Sequence, residues 1–500
     1  MDLFSSLGLG FSVAVAPASL FYCFVGVLLG TLVGVLPGLG PVATVAMLMP
    51  LSMTVDPTSS IIMLAGIYYG AQYGGSTTAI LINMPGEASA IVTALDGHQM
   101  ARQGRAGAAL GIAAIGSFIA GCVSTIIIAL FAPPLANIAL HFQAAEYFSL
   151  MTLGLVTAIV LANGSLLNAV GMMLLGLVLG IVGTDVNSGT ERFTFGVPEL
   201  SDGISFVSLA MGLFGVCDVI DNLGDKTPRD VVVKKVSRAL PTWNEFTECL
   251  GAIARGTGLG SLLGVLPGGG ALLASFGAYA LEKRISAHPE AFGKGEIRGV
   301  AAPESANNAG AQTSFIPLLT LGIPGNPTLA LILGALMVRG IVPGPQVMTD
   351  RPELFWGLIA SMWIGNLMLV VLNMPLIGLW VRMLHVPYRL LFPSILVICC
   401  IGSFAVSNST FELYCLAAFS VLGYIFKKLN CEPAPLALGF ILGQMMEEYL
   451  RRAMRLSDGD PTTFVSQPLS AVFLVAAVGL LVLIVFPKIR QTRDVAMQEG

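Results

Sequence analysis

The sequence predicts an all-α integral membrane protein with about ten to twelve transmembrane helices in two inverted repeats. Three observations support this: an apolar composition, glycine- and proline-rich phrases that occur twice, and basic loop residues that differ between the two copies. Hydrophobic residues make up 55% of the chain and charged residues 11%, with a mean hydropathy of +0.83. Soluble domains carry about 25% charged residues, so we expect this chain to lie in the lipid bilayer, without a large soluble domain.

Apolar stretches recur along the whole chain. A helix of about 20 apolar residues crosses the hydrocarbon core of a bilayer. Stretches of roughly this kind lie near residues 17–36, 107–131, 146–162, 166–184, 204–220, 247–266, 354–380, 390–407, 411–426, 432–446 and 470–487.

Two phrases occur twice in the same order. "GTLVGVLPGLG" begins at Gly30 and "GSLLGVLPGGG" at Gly260, while "GAQYGGSTTAILINMPG" begins at Gly70 and "GAQTSFIPLLTLGIPG" at Gly310. The first phrase recurs after 230 positions and the second after 240, which indicates an internal duplication. The predicted domains are the first repeat (1–221), a cytoplasmic linker (222–246), and the second repeat with the C-terminal helices (247–500).

The two copies carry different charges after their first break. Short cytoplasmic loops are enriched in Lys and Arg. The first copy continues with "LSMTVDPTSS", which has no basic residue, whereas the second continues with "EKRISAHPEAFGKGEIRG", which has four. The repeats are therefore expected to be inverted. Arg102 and Arg105 place a later loop of the first copy in the cytoplasm, and Asp96-Gly97-His98 is interpreted as a turn of that loop.

Proline and glycine interrupt the apolar sequence at four matched points. Proline removes a backbone donor and glycine destabilises a helix, so each pair predicts a helix break. Non-helical backbone at membrane depth is tolerated only where protein or a watery cavity covers it. The breaks should therefore face one shared cavity. They are Pro37-Gly38, Pro85-Gly86, Pro267-Gly268 and Pro324-Gly325.

Half-helices that meet at such a cavity expose N–H groups, which suit an anion, and carbonyl groups, which suit a sodium ion. The predicted substrate-binding residues are Gly38, Gly40, Gly75, Ser76, Thr77, Pro85, Gly86, Gly268, Gly269, Asn307, Asn308, Thr313, Ser314, Pro324 and Gly325. The predicted ion-binding residues are Pro37, Thr44, Asn83, Pro267 and Gln312. Any single glycine could instead serve helix packing, and Thr44 and Ser275 could either line the site or pack.

Two charged residues stand inside apolar sequence, where such residues suggest function. Glu304 could accept a proton, cap the next half-helix, or pair with a base such as Arg298. Arg255 could bind an anionic substrate or extend to the cytoplasmic surface.

The sequence lacks the common catalytic motifs. It contains no GxxxxGK[ST] phosphate loop, no HExxH, no GxSxG and no Cys/His metal-ligand set, so we expect neither an enzyme, a metal site nor a cofactor. Nothing in it favours nucleic-acid binding. An ion channel and a membrane enzyme for lipid-linked substrates remain alternatives, the channel disfavoured because pore-lining charged or aromatic rings are missing.

The motifs "GTLVGVLPGLGPVATVAMLMPL", "YGGSTTAILINMPGEASAIVTALDGHQMARQGRAGAALGIAAIGSF" and "FGKGEIRGVAAPESANNAGAQTSFIPLLTLGIPG" resemble the large membrane subunit of the bacterial tripartite tricarboxylate transporter family. The resemblance extends over essentially the full length. It implies import of a citrate-like di- or tricarboxylate across the inner membrane, driven by a sodium or proton gradient. It also implies a small four-helix membrane subunit, a periplasmic solute-binding protein, and an elevator-type carrier with re-entrant hairpins. A homodimer is a further expectation.

Overall fold

The computed structural model describes residues 2–36, 38–162, 165–185, 187–224, 240–266, 270–384 and 388–485. Four predicted site residues, Pro37, Pro267, Gly268 and Gly269, lie outside the described residues, as does most of the predicted linker.

The chain forms two compact units, and each takes residues from both halves of the sequence. The first unit comprises Met1–Leu135 and Asp218–Gly402, and the second comprises Ala136–Cys217 and Ser403–Gly500. These units describe spatial packing rather than sequence duplication. The predicted repeat boundaries therefore stay a prediction.

The first unit is built from helices, three of which extend past its bounds. They are α1 (Leu3–Ala14), α2 (Pro17–Gly34), α3 (Pro41–Ser52), α4 (Pro57–Ile82), α5 (Ile91–Arg102), α6 (Ala106–Ala139), α10 (Cys217–Gly224), α11 (Trp243–Gly264), α12 (Gly270–Ile285), α13 (Arg298–Thr313), α14 (Phe315–Leu321), α15 (Pro327–Val338), α16 (Pro345–Asp350), α17 (Pro352–Asn373), α18 (Ile377–Met383) and α19 (Tyr388–Ser407). Short 3₁₀ turns cover Ala88–Ala90 and Pro289–Ala291.

The second unit contains the remaining helices and a short hairpin. Its helices are α7 (Ala144–Leu161), α8 (Leu166–Gly180), α9 (Phe206–Ala210), α20 (Phe411–Lys428), α21 (Ala434–Leu456), α22 (Thr463–Ser466) and α23 (Pro468–Val485). Strands β1 (Gly183–Thr184) and β2 (Glu191–Arg192) pair antiparallel, Pro198–Leu200 is a 3₁₀ turn, and Met211–Val216 is a π-helix.

The all-α prediction is confirmed, since the β1–β2 hairpin is the single sheet in the described part of the chain. Among those residues, three helices (α2, α6 and α17) are long and apolar enough to cross a membrane. Seven shorter apolar helices of 10–17 residues accompany them. The expected number of ten to twelve crossings stays a prediction.

Helices α2 and α4 pack through glycines that recur every fourth residue. A Cβ on any of these glycines would collide with a carbonyl oxygen of α4, so only glycine allows the two backbones to approach this closely. The facing pairs are Gly26 with Met63, Gly30 with Ile67, and Gly34 with Ala71.

The second half of the sequence uses the same packing between α11 and α13. The facing pairs are Gly256 with Ala302, Gly260 with Ala306, and Gly264 with Gly310. Each glycine stands 230 positions after its counterpart in α2, and each facing residue 239 positions after its counterpart in α4. The duplicated phrases therefore correspond to duplicated helix contacts.

The predicted turn at Asp96-Gly97-His98 is wrong, because these residues lie inside α5. The Asp96 carboxylate is fully buried and accepts hydrogen bonds from the backbone N–H groups of Gly293, Gly295 and Glu296, each at 2.8 Å. Its other oxygen accepts from the Tyr279 hydroxyl at 2.9 Å. The carboxylate therefore fixes the loop before α13.

Candidate functional site

The second break of the first copy depends on two touching glycines. Helix α4 ends at Ile82, and Asn83 takes a left-handed conformation with φ +55°. The chain then passes through Pro85-Gly86, where Gly86 packs on Gly75. A Cβ on either glycine would meet the backbone of the other, so this close return of the chain requires glycine.

The second copy returns in the same way. Helix α14 ends at Leu321, Gly322 is left-handed with φ +73°, and the chain passes through Pro324-Gly325. Gly325 packs against Ser314, whose side chain would lie 3.0 Å from a Cβ at that position. We call the two returns, Asn83–Glu87 and Gly322–Asn326, the first and second tips.

The first Pro-Gly break also reaches the first tip. Gly38 is left-handed with φ +83°, and its carbonyl oxygen accepts a hydrogen bond of 3.1 Å from the Asn222 amide. Gly40 precedes α3, and a Cβ there would meet the carbonyl oxygen of Gly86. Two of the predicted breaks are therefore in contact.

Each tip contacts a helix from the other half of the sequence. The residue after the first Pro85-Gly86 pair, Glu87, accepts a hydrogen bond of 2.7 Å from the Asn307 amide of α13. The residue after the second pair, Asn326, donates one of 3.0 Å to the Tyr68 hydroxyl of α4. Asn307 stands 239 positions after Tyr68, and Asn326 stands 239 positions after Glu87. The two contacts therefore join equivalent positions of the two copies and are reciprocal.

Glu304 lies beside these contacts and is 2% exposed. Its carboxylate accepts hydrogen bonds from Ser76 at 2.8 Å and Thr93 at 2.6 Å. The alternative that Glu304 pairs with Arg298 is wrong, because the Arg298 guanidinium binds Glu296 at 3.0 Å instead. The sequence shows two candidate partners for Arg298, Glu296 and Glu304, and only the structure shows that Glu296 is the one it binds.

A cavity adjoins Glu304. Its volume of about 20 Å³ admits one water molecule or small ion but is too small for a di- or tricarboxylate. The residues that line it are Tyr73, Ser76, Thr77, Ile80, Leu110, Ala113, Ala114, Ser117, Glu304, Asn373, Met374 and Ile377.

The polar face of α13 continues beyond Glu304 in steps of one turn. The Asn308 amide donates 2.7 Å to the Ser117 hydroxyl, and the Gln312 side-chain oxygen accepts a hydrogen bond of 2.8 Å from Thr125. Both side chains are buried. Helices α13 and α6 therefore share a buried polar contact line.

Of the twenty residues predicted for the site, the sixteen that are described all lie in the first unit. The structure brings the Gly40–Gly75–Gly86 group together, places Ser76 and Thr77 at the cavity, and joins Gly325 to Ser314. It does not bring Thr44 and Asn83 to the cavity: the Thr44 hydroxyl donates at 2.9 Å to the carbonyl of Gly40, the residue just before its helix, and Asn83 is exposed.

Other predicted hydroxyls donate to backbone carbonyls, either in their own helix or in a neighbouring one. Thr77 donates to Tyr73 at 3.0 Å, Thr313 to Ala309 at 3.0 Å, and Ser314 to Gly264 of α11 at 2.8 Å. Ser275 donates to the Pro303 carbonyl at 3.1 Å, which favours its packing alternative.

Arg255 does not reach the polar region. Its guanidinium donates 2.9 Å to Glu282 of α12, and its side chain is 44% exposed. The alternative in which Arg255 binds the substrate therefore has no support from its position.

Sequence reasoning missed six polar residues at the site: Tyr68, Tyr73, Glu87, Thr93, Ser117 and Asn373. Glu87 carried a usable signal, because it directly follows a Pro-Gly break. Asn373 carried no such signal, because a single amide residue often ends an apolar helix.

Comparison with known proteins identifies the family of the chain. The family model described as "Tripartite tricarboxylate transporter TctA family" matches residues 20–438. The chain belongs to this family. TctA proteins are transporter subunits, and they work with a small membrane subunit and a periplasmic binding protein. The TctA chain described here is thus a multi-pass transmembrane component of a tripartite transporter.

Two relatives come from Agrobacterium vitis. The chain is 58% identical over 494 residues, covering 99% of this chain and 98% of the relative, to the "Uncharacterized 52.8 kDa protein in TAR-I ttuC' 3'region". It is also 58% identical over 235 residues, covering 47% of this chain and 97% of the relative, to the "Uncharacterized protein in TAR-II ttuC' 3'region". No solved structure matches the chain.

Proposed function

We propose that this chain is the large transport subunit of a secondary transporter that imports a di- or tricarboxylate across the bacterial inner membrane. The observation that carries the proposal is that each tip contacts a helix from the other half of the chain, Glu87 with Asn307 of α13 and Asn326 with Tyr68 of α4. Two interrupted helical segments from different halves of the chain meet in one buried polar region. Secondary transporters bind their substrates at such points.

The substrate carboxylates would bind the N–H groups of the tips together with side chains around them. Those side chains are the hydroxyls of Ser76, Thr77, Thr313 and Ser314 and the amides of Asn307 and Asn308. Glu87 and Glu304 lie in the same region and would repel an anion. At an effective dielectric constant of about 20, two like charges about 4 Å apart cost about 4 kcal/mol, so bound cations would be needed.

Substrate entry would require the tips to move. The cavity beside Glu304 holds about 20 Å³, which leaves no room for a tricarboxylate. The movement would separate Gly86 from Gly75 at the first tip, or Gly325 from Ser314 at the second. We propose that this opening accompanies an elevator movement, which fits the predicted inverted repeats.

Reconstitution tests the function. The chain and its small membrane subunit are placed in proteoliposomes, the periplasmic binding protein is added outside, and uptake of labelled citrate and smaller dicarboxylates is followed. We expect uptake that needs both the binding protein and an inward sodium or proton gradient, without ATP. Flux that continues without the binding protein and without a gradient would indicate a channel. Chemical modification of the carboxylate would indicate an enzyme.

A further inference from the structure

The cavity beside Glu304 is lined by oxygen-bearing side chains from three regions of the chain. Ser76 comes from α4, Glu304 from α13 and Asn373 from α17. Thr77 and Ser117 add two more hydroxyls. The lining combines one carboxylate, neutral oxygens and no nitrogen base, which is the ligand set of a hard cation.

A second observation concerns Asn373. Its side chain is 6% exposed, and its amide nitrogen donates 2.9 Å to the Leu369 carbonyl of its own helix. Its side-chain oxygen is buried without a hydrogen-bond partner in the described part of the chain. A buried acceptor without a partner is destabilising, and a cation in the cavity would satisfy it.

The charges around Glu304 also favour a bound cation. Among the described residues, no Lys, Arg or His forms an ion pair with Glu304. The Glu87 carboxylate also acts electrostatically on Glu304 and adds negative charge to the region. His98 is engaged elsewhere, with its ring Nδ1 3.1 Å from the Ile80 carbonyl oxygen. Buried charges in proteins are paired or bind a metal ion, so a buried carboxylate without a basic partner attracts a cation.

We propose that this cavity binds one sodium ion through the Glu304 carboxylate, the Ser76 hydroxyl and the Asn373 side-chain oxygen. A volume of about 20 Å³ suits a single dehydrated ion. The role of this ion rests on the proposed function: it is the ion whose gradient drives transport. It links α4 of the first copy to α13 of the second, so the tips close around substrate only when the ion is bound.

Ion binding can be measured without substrate. The purified full-length chain in nanodiscs is heated in NaCl, KCl or choline chloride at equal ionic strength, and the unfolding midpoint is recorded. A ligand that binds only the folded state raises this midpoint with concentration. We expect stabilisation by NaCl that exceeds the effect of the other two salts and saturates.

Variants assign the effect to the cavity. S76A and N373A should raise the half-saturating sodium concentration roughly 10-fold or more, since loss of a supporting oxygen typically costs 10–100-fold in metal affinity. E304Q should abolish the sodium effect. N373D keeps an oxygen at the position and should retain sodium binding, which separates a ligand from a packing residue. The matched control is S361A, because Ser361 is buried in α17 and, within the described part of the chain, hydrogen-bonds only the Leu358 carbonyl of its own helix, at 2.7 Å.

The outcomes are decisive in each direction. Equal stabilisation by all three salts, or a sodium effect unchanged in S76A and N373A, would overturn the site. Stabilisation by acid instead of sodium, lost in E304Q, would show a proton site and overturn the sodium assignment. If E304Q does not fold, the other two variants decide. Sodium binding without carboxylate uptake in proteoliposomes would refute the proposed function and leave the ion site standing.

Discussion

Asn307 and Tyr68 hold matched positions in α13 and α4, yet their chemistry differs. Asn307 donates to a carboxylate, while Tyr68 accepts from an amide. The two tips are therefore alike in backbone and unlike in charge, since Glu87 stands where the second tip has Asn326. An asymmetric charge distribution suits a site that holds an anion and a cation side by side.

Replacing Asn307 by aspartate tests the first contact. N307D puts a second carboxylate beside Glu87 in place of a donor that lies 2.7 Å away. Two like charges about 4 Å apart already cost about 4 kcal/mol at an effective dielectric constant of about 20, and closer charges repel more strongly. We expect carboxylate uptake to fall at least about 10-fold. The double variant E87Q/N307D removes the repulsion and should recover much of the rate. Equal uptake by N307D and the wild type would contradict the contact.

Asp185, in the loop before β2, makes the second unit sensitive to acid. Hydrogen bonds from the Asn187 backbone N–H and from the Arg451 guanidinium lower the pKa of Asp185 to about 2, from 3.8. Because the folded pKa is depressed, its contribution to stability is present above about pH 4 and is lost as the pH falls toward 2.

We expect pepsin to cleave the wild-type loop between α8 and α9 increasingly as the pH falls from about 4 to about 2. The D185N variant lacks the titrating group and serves as the control, so its cleavage should change much less over the same range. Identical pH profiles for the two proteins would show that Asp185 does not hold the loop.

At the scale of elements, two glycines of α11, one packed against α13 and one open, test the close contact between these helices. A Cβ at Gly260 would collide with the Ala306 carbonyl, whereas nothing lies within 4 Å of a Cβ at Gly258. G260A should destabilise the first unit by about 1–3 kcal/mol, the usual cost of overpacking. G258A should be neutral or slightly stabilising, because alanine favours a helix over glycine. Reversible unfolding in mixed micelles measures both, and equal effects would refute close packing at Gly260.

The elements that sequence reasoning could predict are those with strong local signals. Proline and glycine mark breaks at Gly38, Pro85-Gly86 and Pro324-Gly325, and each is non-helical in the structure. Local signals failed at Asp96, where Gly97 permits close packing against Ile80 and long-range hydrogen bonds satisfy the carboxylate. The partners of Asp96 lie almost two hundred residues away in the sequence. The residues that neighbour Asp96 in the chain therefore cannot predict these hydrogen bonds.

The candidate site was predictable in outline and not in detail. The repeated phrases single out Ser76, Asn307 and Ser314, and the structure places all three in the first unit. The phrases could not reveal which hydroxyl binds Glu304, because that depends on the relative rotation of α4, α5 and α13. The same limit hid Asn373, whose role depends on the three-dimensional course of α17.

At the scale of the whole molecule, the inverted arrangement is open to direct measurement. Single cysteines are placed at Thr54, in the acidic loop of the first copy, and at Ala287, in the basic loop of the second, after the eight natural cysteines have been replaced. Both positions are exposed. A membrane-impermeant maleimide should label T54C in intact cells and A287C only after permeabilisation, because basic loops stay in the cytoplasm. Labelling of both from the same side would contradict inversion.

The central claim is that the tips and α13 enclose the site where a carboxylate binds during transport. The most direct measurement is the rate of labelled carboxylate uptake by the reconstituted tripartite system with N308A or S314A, against S361A as a buried control. Both site variants lose a polar group from α13 or its C-terminus, where Asn308 contacts Ser117 and Ser314 contacts Gly264. We predict at least about a 10-fold loss of uptake with normal folding, and an unchanged rate in S361A. Uptake that stays intact in N308A and S314A would contradict the account.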